Sequence, residues 1–452
     1  MIITIIVIYL FTFILFLLQN QKKATIYYLY TLPFLHPNIA LINIKGLPLV
    51  SLNRVVIFLL IFSFFYNYYT KNNFKDKLKN FPFKYSLIFL GLSLLIVTLF
   101  GRMSVISSFF NYLSILNENL LLILIIWGTF DTTVEIKKVF RVICLSFFLI
   151  SIYGIFTKIF ETNPFLDMIS LQGYRNIVFS YENIVRGGIY GRTQSVFYHP
   201  ISYGGHLAMI LPFSIWLYLV SNKVKYKLFY LFISFLIVIN ILLTNSRSPI
   251  IFVLIALISL FFSKKIKYVL LVFILIIGSI TYIVNHDNYY SNYISTIVGA
   301  LFFWGDKYNS QLGGSSIVSR EATLYAAISY FIEHPLTGFG LTKLREISRF
   351  GMDNDLVDAP GFIFELLIDT GILGILAYLI FFSDILRKSF KYKNETLNDD
   401  TKLLMSLTFT MTIGYLVFIN LTGEMNTFIF FFVLTGLTFK YYYLDINEKY
   451  QN

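Results

Sequence analysis

Long apolar runs separated by short polar loops dominate the chain. A helix needs about 20 residues to cross the hydrocarbon core of a bilayer, with a range of about 17–25. Twelve runs of this kind are predicted as spans: 2–18, 52–69, 85–101, 115–130, 139–157, 203–221, 226–243, 248–262, 267–285, 361–384, 403–421 and 425–443. A thirteenth candidate, 24–42, holds two prolines, a histidine and an asparagine, and is either a broken span or an interfacial segment. The pattern predicts an all-α polytopic membrane protein with about 12–13 transmembrane helices.

The lysines predict which loops face the cytoplasm, because short cytoplasmic loops carry an excess of Lys and Arg. Five loops show this excess, at 71–84, 137–138, 223–227, 264–267 and 387–402. Alternation between them places the remaining loops after residue 52 outside and the C-terminus inside. The N-terminus lies outside if 24–42 spans the membrane and inside if it does not. The net charge of +12 follows from these loops, so it indicates topology and argues against a nucleic-acid partner.

Composition supports this class and narrows the chemistry. Of the 452 residues, 57% are hydrophobic and 13% are charged, against about 25% charged residues in soluble domains. Cys144 is the single cysteine, so neither an intramolecular disulfide nor a thiolate metal site is expected. The first 18 residues have no basic n-region and no small-residue cleavage site, and are expected to be a retained span. We expect neither a metal nor a cofactor.

Two predicted external loops are far longer than the others, and long connections of this kind usually carry function. They divide one integral membrane domain into N-terminal helices (1–157), an external loop (158–202), central helices (203–285), a large external loop (286–360) and C-terminal helices (361–452). Within the larger loop, the sequence from Ser319 to His334 is typical of an amphipathic helix.

A cationic, glycine-rich stretch leads from the first external loop into the next span. It contains Arg186, Arg192, Gln194, Tyr198 and His199. Guanidinium groups bind phosphate oxygens in bidentate fashion, and the glycines let a backbone approach a ligand closely. The stretch predicts half of an anion-binding site at the membrane surface. The alternatives are arginines that meet lipid headgroups and, for His199, a turn position before proline.

A second cation lies in the very short external turn Thr-Asn-Ser-Arg-Ser-Pro at 244–249. Arg247 precedes a strongly apolar helix, and a cation so close to hydrocarbon is costly and needs a partner. The start of that helix adds backbone donors and a positive dipole for an anion. The alternative is an interfacial arginine whose head reaches water.

The acidic candidates lie at or near the same predicted face. Asp358 precedes the span at 361–384 and is a candidate general base. Glu365 and Asp369 share one face of that span, and Glu424 occupies the last external turn. Glu365 and Asp369 either line a cavity or pack helices, and a structural role is the alternative for each of these acids. The Asp-Asn-Asp at 353–355 has the spacing of some nucleotide-sugar metal sites, but its external position favours a solvated acidic loop.

Three segments in this order resemble the O-antigen ligase/polymerase superfamily of bacterial membrane proteins. They are Gly-Arg through His-Pro at 191–200, Thr-Asn-Ser-Arg-Ser at 244–248, and the stretch from Arg320 through Pro-Leu-Thr-Gly-Phe-Gly at 335–340 to Gly-Ile-Leu-Gly at 371–374. The resemblance covers about 190–385. It implies a GT-C-like fold and a glycosyltransferase that uses glycans linked to undecaprenyl diphosphate, in the bacterial plasma (inner) membrane.

The resemblance also implies roles for individual residues. The family's paired external arginines match Arg192 and Arg247, which would hold the diphosphate, and Arg320 lies in the third segment. Many members, ligases especially, carry a His-Asn pair where this chain has Pro360 and Gly361. This departure favours a polymerase over a ligase and leaves Asp358 as the nearest candidate base.

The hypothesis from sequence is therefore polymerisation of lipid-linked repeat units for an O-antigen, capsule or related polysaccharide, outside the cell and with inversion. Arg186, Gln194, Tyr198, His199, Arg320 and Glu424 are the candidate substrate-binding residues, beside Asp358, Arg192 and Arg247 as catalytic ones. The expected partners are the lipid-linked glycan, the bilayer, and a chain-length regulator and flippase of the same pathway. Ligation to another acceptor and polysaccharide export are the alternatives.

Overall fold

The structure, a computed structural model, describes residues 2–37, 39–42, 50–70, 78–102, 105–170, 192–261, 317–341, 361–396 and 398–450. Helices account for most of these residues. They are α1 (Ile2–Gln19), α2 (Gln21–Thr31), α3 (Leu52–Thr70), α4 (Lys84–Phe100), α5 (Val105–Ile115), α6 (Leu122–Thr129), α7 (Thr133–Phe160), α8 (Pro164–Ser170), α9 (Pro200–Val220), α10 (Val224–Leu243), α11 (Arg247–Phe261), α12 (Ile317–Glu333), α13 (Phe362–Glu395), α14 (Asp399–Thr422) and α15 (Phe428–Tyr450).

Seven of the described helices are long and apolar enough to cross a membrane: Val105–Thr129, Thr133–Phe160, Pro200–Val220, Val224–Leu243, Phe362–Glu395, Asp399–Thr422 and Met425–Glu448. Shorter apolar helices cover four further predicted spans, at Ile3–Gln19, Leu52–Asn67, Lys84–Phe100 and Arg247–Leu260. The predicted span at 267–285 lies outside the described residues. The all-α polytopic class predicted from sequence is confirmed.

The candidate span at 24–42 is not one continuous helix. Helix α2 ends at Thr31, and a 3-10 turn follows at Leu32–Phe34, where Pro33 lacks the N–H that a longer helix requires. The chain then enters a short antiparallel pair of strands, β1 (Ala40–Ile42) and β2 (Val50–Ser51). The helix is thus interrupted at the first of the two prolines of this stretch, which does not form one continuous helical span.

The span predicted at 115–130 begins ten residues earlier than expected, at Val105. Serines and an asparagine lower the hydropathy of this first part, but Asn111 Nδ2 donates to the carbonyl of Ser107 at 2.9 Å, so the helix satisfies its own polar group. A π-helical stretch at Leu116–Leu121 joins α5 to α6. The Glu118 carboxylate in this stretch accepts a hydrogen bond from Arg54 Nε at 3.0 Å. This acid, near the middle of the span, is therefore paired with an arginine.

Three helices form the centre of the bundle. In the apolar 18-residue stretches of Pro200–Val220, Asp399–Thr422 and Met425–Glu448, which contain α9, α14 and most of α15, 83%, 72% and 89% of the residues are buried, more than in the other candidate spans of the described chain. Aromatic rings fill the spaces between them: Tyr415 of α14 stacks on Phe431 of α15 with 4.4 Å between ring centroids. The starts of α9 and α15 and the end of α14 meet at one end of the bundle, which the lysines predict to be outside.

Helix α13 is broken at Gly371, where φ is +59° and ψ is −158°. The segment Pro335–Gly340, which follows α12, forms backbone hydrogen bonds to α13 on both sides of this break. The N–H groups of Phe339 and Gly340 donate to the carbonyls of Ile368 and Asp369, both at 2.9 Å, and the carbonyls of Pro335 and Leu336 accept from Ile372 and Leu373 at 2.8 and 3.2 Å. In a straight helix these four groups of α13 would have paired with each other. The segment therefore satisfies the backbone groups that the break releases, as a membrane interior demands.

Candidate functional site

Arg192 lies against the short turn between α10 and α11. Its Nε donates to the carbonyl of Thr244 at 3.0 Å, and its Nη2 donates to the hydroxyl of Ser246. The next residue, Thr193, donates its N–H to the carbonyl of Leu243 at 3.0 Å. Two motifs that the sequence predicts to share a site are thus in direct contact, although about 50 residues separate them.

Two residues in this contact have positive φ without being glycine. Ser195 has φ +51° and Asn245 has φ +47°, a conformation that persists only where surrounding contacts fix it. Ser195 is fully buried, its hydroxyl donates to the carbonyl of Ile150 at 2.9 Å, and its own carbonyl accepts Asn163 Nδ2 at 2.7 Å. The segment that carries Arg192 is therefore held on helix α7 and the start of α8.

Arg247 is the first residue of α11 and is half-buried. The turn before it is fixed by Arg192 on Ser246 and by the close contact of α11 with α9, where a methyl group on Gly204 would lie 2.5 Å from Pro249 Cγ. Arg192 thus contacts the residue directly before Arg247, and these two arginines with the groups that contact them are called the cluster below. Each adds positive charge at a point where helices present their N-terminal, positive ends.

Glu424 lies in the turn between α14 and α15. Gly423, with φ +65°, caps α14 in the left-handed conformation, and its N–H donates to the carbonyl of Ile419 at 2.8 Å. This reversal directs the Glu424 carboxylate to the start of α9, where the hydroxyl of Ser202 donates to it. Burial raises the pKa of Glu424 to about 7, although the Ser202 hydrogen bond and the nearby Arg192 charge each lower it.

His199 caps α9. Its Nδ1 accepts the N–H of Ile201 at 3.1 Å, and the same nitrogen lies 3.6 Å from Glu424 Oε1. Because Nδ1 accepts a backbone N–H, it carries a lone pair. The contact with Glu424 therefore places a hydrogen-bond acceptor against the carboxyl group. His199 combines the turn position predicted as its alternative role with a place in the cluster.

The other predicted site residues divide into three groups. Gln194 is buried beside Arg192, and its carbonyl accepts the N–H of Phe197 at 3.0 Å. Tyr198, the residue before His199, is exposed. Arg320 lies in α12, but its side chain is not among those described, and Arg186 and Asp358 lie outside the described residues.

Sequence reasoning missed Ser202 and Asn163. Ser202 occupies the third position of α9, where a side chain reaches neighbours of the helix start, and that placement is the signal that points to it. Asn163 sits just before Pro164, the first residue of α8, with its Oδ1 accepting the N–H of Leu166 at 3.2 Å. The sequence indicates that Asn163 is a helix cap, but it does not indicate that Asn163 also donates to the Ser195 carbonyl.

The described residues thus define a polytopic helical membrane protein with a cluster of arginines and a buried carboxyl at one end of its bundle. Residues 232–379 match the family described as O-antigen ligase. This match, over about a third of the chain, confirms the predicted resemblance to the O-antigen ligase/polymerase superfamily. The chain carries the domain of a membrane glycan-assembly enzyme. No curated protein matches the chain.

The matched segment includes Arg247 and the break at Gly371. Arg192 precedes it and Glu424 follows it, so two of the three charged members of the cluster lie in the flanks. The family match alone therefore supplies one arginine, and the fold brings the second arginine and the carboxyl to it.

Proposed function

We propose that this protein is a polysaccharide polymerase that joins undecaprenyl-diphosphate-linked repeat units at the outer face of the plasma membrane. The observation that carries the proposal is the Arg192 guanidinium held on the turn that bears Arg247. A fixed guanidinium and a second arginine at the start of a helix suit a diphosphate, which needs charge and directed N–H donors together.

In the proposed reaction, an acceptor sugar hydroxyl attacks the anomeric carbon of the donor, and the carbon–oxygen bond to the diphosphate breaks. Arg192 and Arg247 stabilise the negative charge that develops on the leaving diphosphate. Because the donor is already activated, no nucleotide is consumed. Attack from the side opposite the leaving group inverts the anomeric centre.

The proposal favours a polymerase over a ligase because Pro360 and Gly361 occupy the positions of the His-Asn pair that ligases carry. Gly361 is the N-cap of α13 and makes no side-chain capping bond. Transfer of a finished glycan to another acceptor is the second candidate. Export alone is disfavoured because the charged residues of the site lie at helix ends, whereas an export path needs polar groups through the bundle.

Purified protein incubated with lipid-linked repeat units tests the proposal. We expect a ladder of longer glycans, and we expect Arg192→Ala and Arg247→Ala each to lower its rate of formation by about 100- to 1,000-fold. Arg387→Ala is the matched control, since this arginine is 80% exposed and lies toward the end of α13 that the lysines predict to be cytoplasmic. Addition of a single glycan to a different acceptor would identify a ligase. A wild-type protein that leaves glycan length unchanged would contradict both.

A further inference from the structure

Glu424 is the only described acid for which the structure combines burial, a raised pKa and direct contact with the arginine cluster. Its backbone is fixed on both sides. The N–H of Glu424 donates to Thr422 Oγ1 at 3.3 Å, and its carbonyl accepts Thr427 Oγ1 at 2.6 Å. The side chain retains 15% exposure, so the carboxyl is held in place and still reachable.

The carboxyl meets charged and polar groups from each element around it. Arg192 approaches from the segment before α9, His199 and Ser202 from the start of α9, and Tyr415 from α14, whose phenol is close enough to interact with the Glu424 charge. Ser202 donates one hydrogen bond to the carboxylate, whereas His199 presents a lone pair. A carboxylate has about four acceptor sites, so it can accept a hydroxyl proton while it keeps the hydrogen bond from Ser202.

We propose that Glu424 is the general base of the reaction and takes the proton of the attacking acceptor hydroxyl. The assignment rests on the proposed function above. The carboxylate of Glu424 accepts the hydroxyl proton while the acceptor oxygen forms its bond to the anomeric carbon, and the diphosphate leaves with the electron pair of the broken bond. The carboxylic acid then returns its proton to water, which restores the carboxylate for the next addition.

The electrostatics of the cluster suit this role. A general base works best when its pKa lies near the working pH, and burial places that of Glu424 at about 7. Arg192 lies near both the carboxyl and the proposed diphosphate site, so it links proton acceptance to departure of the leaving group. The base predicted from sequence, Asp358, lies outside the described residues, whereas Glu424 lies in the turn between α14 and α15.

The test is the pH dependence of kcat/KM for ladder formation by full-length protein in detergent or nanodiscs, with wild type, Glu424→Gln, Glu424→Asp and Asp358→Asn. For the wild type we expect an acidic limb that falls below about pH 7. We expect Glu424→Gln to lose about 100- to 10,000-fold in rate and to lose that limb. Glu424→Asp is expected to retain part of the rate.

Donor binding separates a base from a structural residue. Glu424→Gln removes a negative charge beside Arg192, so we expect it to bind lipid-linked donor at least as tightly as wild type. His199→Asn keeps a capping acceptor and is expected to retain the acidic limb, which assigns the limb to the carboxyl and not to the imidazole.

Three results would overturn the assignment. The first is a Glu424→Gln protein that keeps the wild-type rate and the acidic limb of the pH profile. The second is a loss of donor binding by Glu424→Gln that is large enough to explain its lost rate. The third is loss of the acidic limb in Asp358→Asn but not in Glu424→Gln. Each requires a wild-type ladder, and so leaves the proposed polymerase intact. Absence of any wild-type ladder would instead contradict the proposed function.

Discussion

The guanidinium of Arg192 and the hydroxyl of Ser246 are hydrogen-bonded although 54 positions separate the two residues. The bond joins the segment before α9 to the turn before α11. Because the Arg192 Nε also donates to the carbonyl of Thr244, the guanidinium is oriented before any ligand arrives. Such preorganisation lets a donor group act on a developing charge without first being reoriented.

Ser246→Ala is expected to weaken donor binding while leaving the fold intact. It removes one of the hydrogen bonds that orient Arg192. A hydrogen bond to a charged group contributes about 1.5–3 kcal/mol, and the bond to the Thr244 carbonyl remains. We expect kcat/KM for the lipid-linked donor to fall about tenfold, because Arg192 also acts on the charge that develops on the leaving diphosphate. Ser221→Ala is the control, since its hydroxyl donates to Leu217 of its own helix at the far end of α9. An equal effect of both variants would refute the role of Ser246.

Glu424 is expected to make folding stability depend on pH near neutrality. Its folded-state pKa of about 7 lies above the unfolded value of 4.5, so the folded protein binds the proton more tightly. The associated stability is complete below pH 4.5 and is lost as the pH rises to about 7, by up to about 3 kcal/mol. Glu424→Gln has no such loss.

Thermal unfolding in detergent at pH 5 and pH 8 measures this dependence. The difference in Tm between Glu424→Gln and wild type should increase from pH 5 to pH 8, in favour of the variant. A difference that is the same at both pH values would show that Glu424 does not titrate in this range.

Gly371→Ala is expected to destabilise the protein. The conformation at Gly371 is one that residues with a Cβ rarely adopt, and an added Cβ would lie 2.7 Å from both Gly338 N and the carbonyl oxygen of Pro335. Strain of this kind costs about 1–3 kcal/mol, and displacement of the paired segment adds to it. Gly91→Ala is the control, since its added Cβ would meet Leu120 at 3.6 Å, an ordinary contact. Comparable Tm values for the two variants would contradict the expectation.

Asn163→Asp tests whether the support under Arg192 affects binding. The change keeps the Oδ1 acceptor used by Leu166 and Tyr153 but replaces the donor to the Ser195 carbonyl with a second oxygen. The Ser195 carbonyl then lacks its partner, and an unsatisfied buried acceptor costs about 1–3 kcal/mol. Because this weakens the support of the segment that carries Arg192, we expect a higher KM for the lipid-linked glycan. Tyr153→Phe, which keeps Asn163 and its bond to Ser195, should raise KM less. The reverse order would contradict this account.

Periodicity and charge were sufficient to predict the helical class and both arginines. An apolar run long enough to span is a local property, and Arg247 stands out because it adjoins one. Contacts between distant parts of the bundle cannot be predicted in this way. Ser202 lies beside Glu424, which is more than 200 residues away, and the sequence around Ser202 does not indicate this contact. Nor does hydropathy reveal the break at Gly371, because averages over a span are insensitive to one backbone torsion.

The pairing of Pro335–Gly340 with the break in α13 has a mechanical consequence. The four hydrogen bonds fasten the end of α12 to both sides of Gly371, and Arg102 at the end of α4 adds contacts to Glu333 at 3.7 Å and to His334 at 3.3 Å. Helix α12 therefore cannot tilt or slide as an independent arm. Any displacement of it is transmitted to Phe362–Thr370, the half of α13 whose first turn abuts Asn420 of α14, four residues before Glu424.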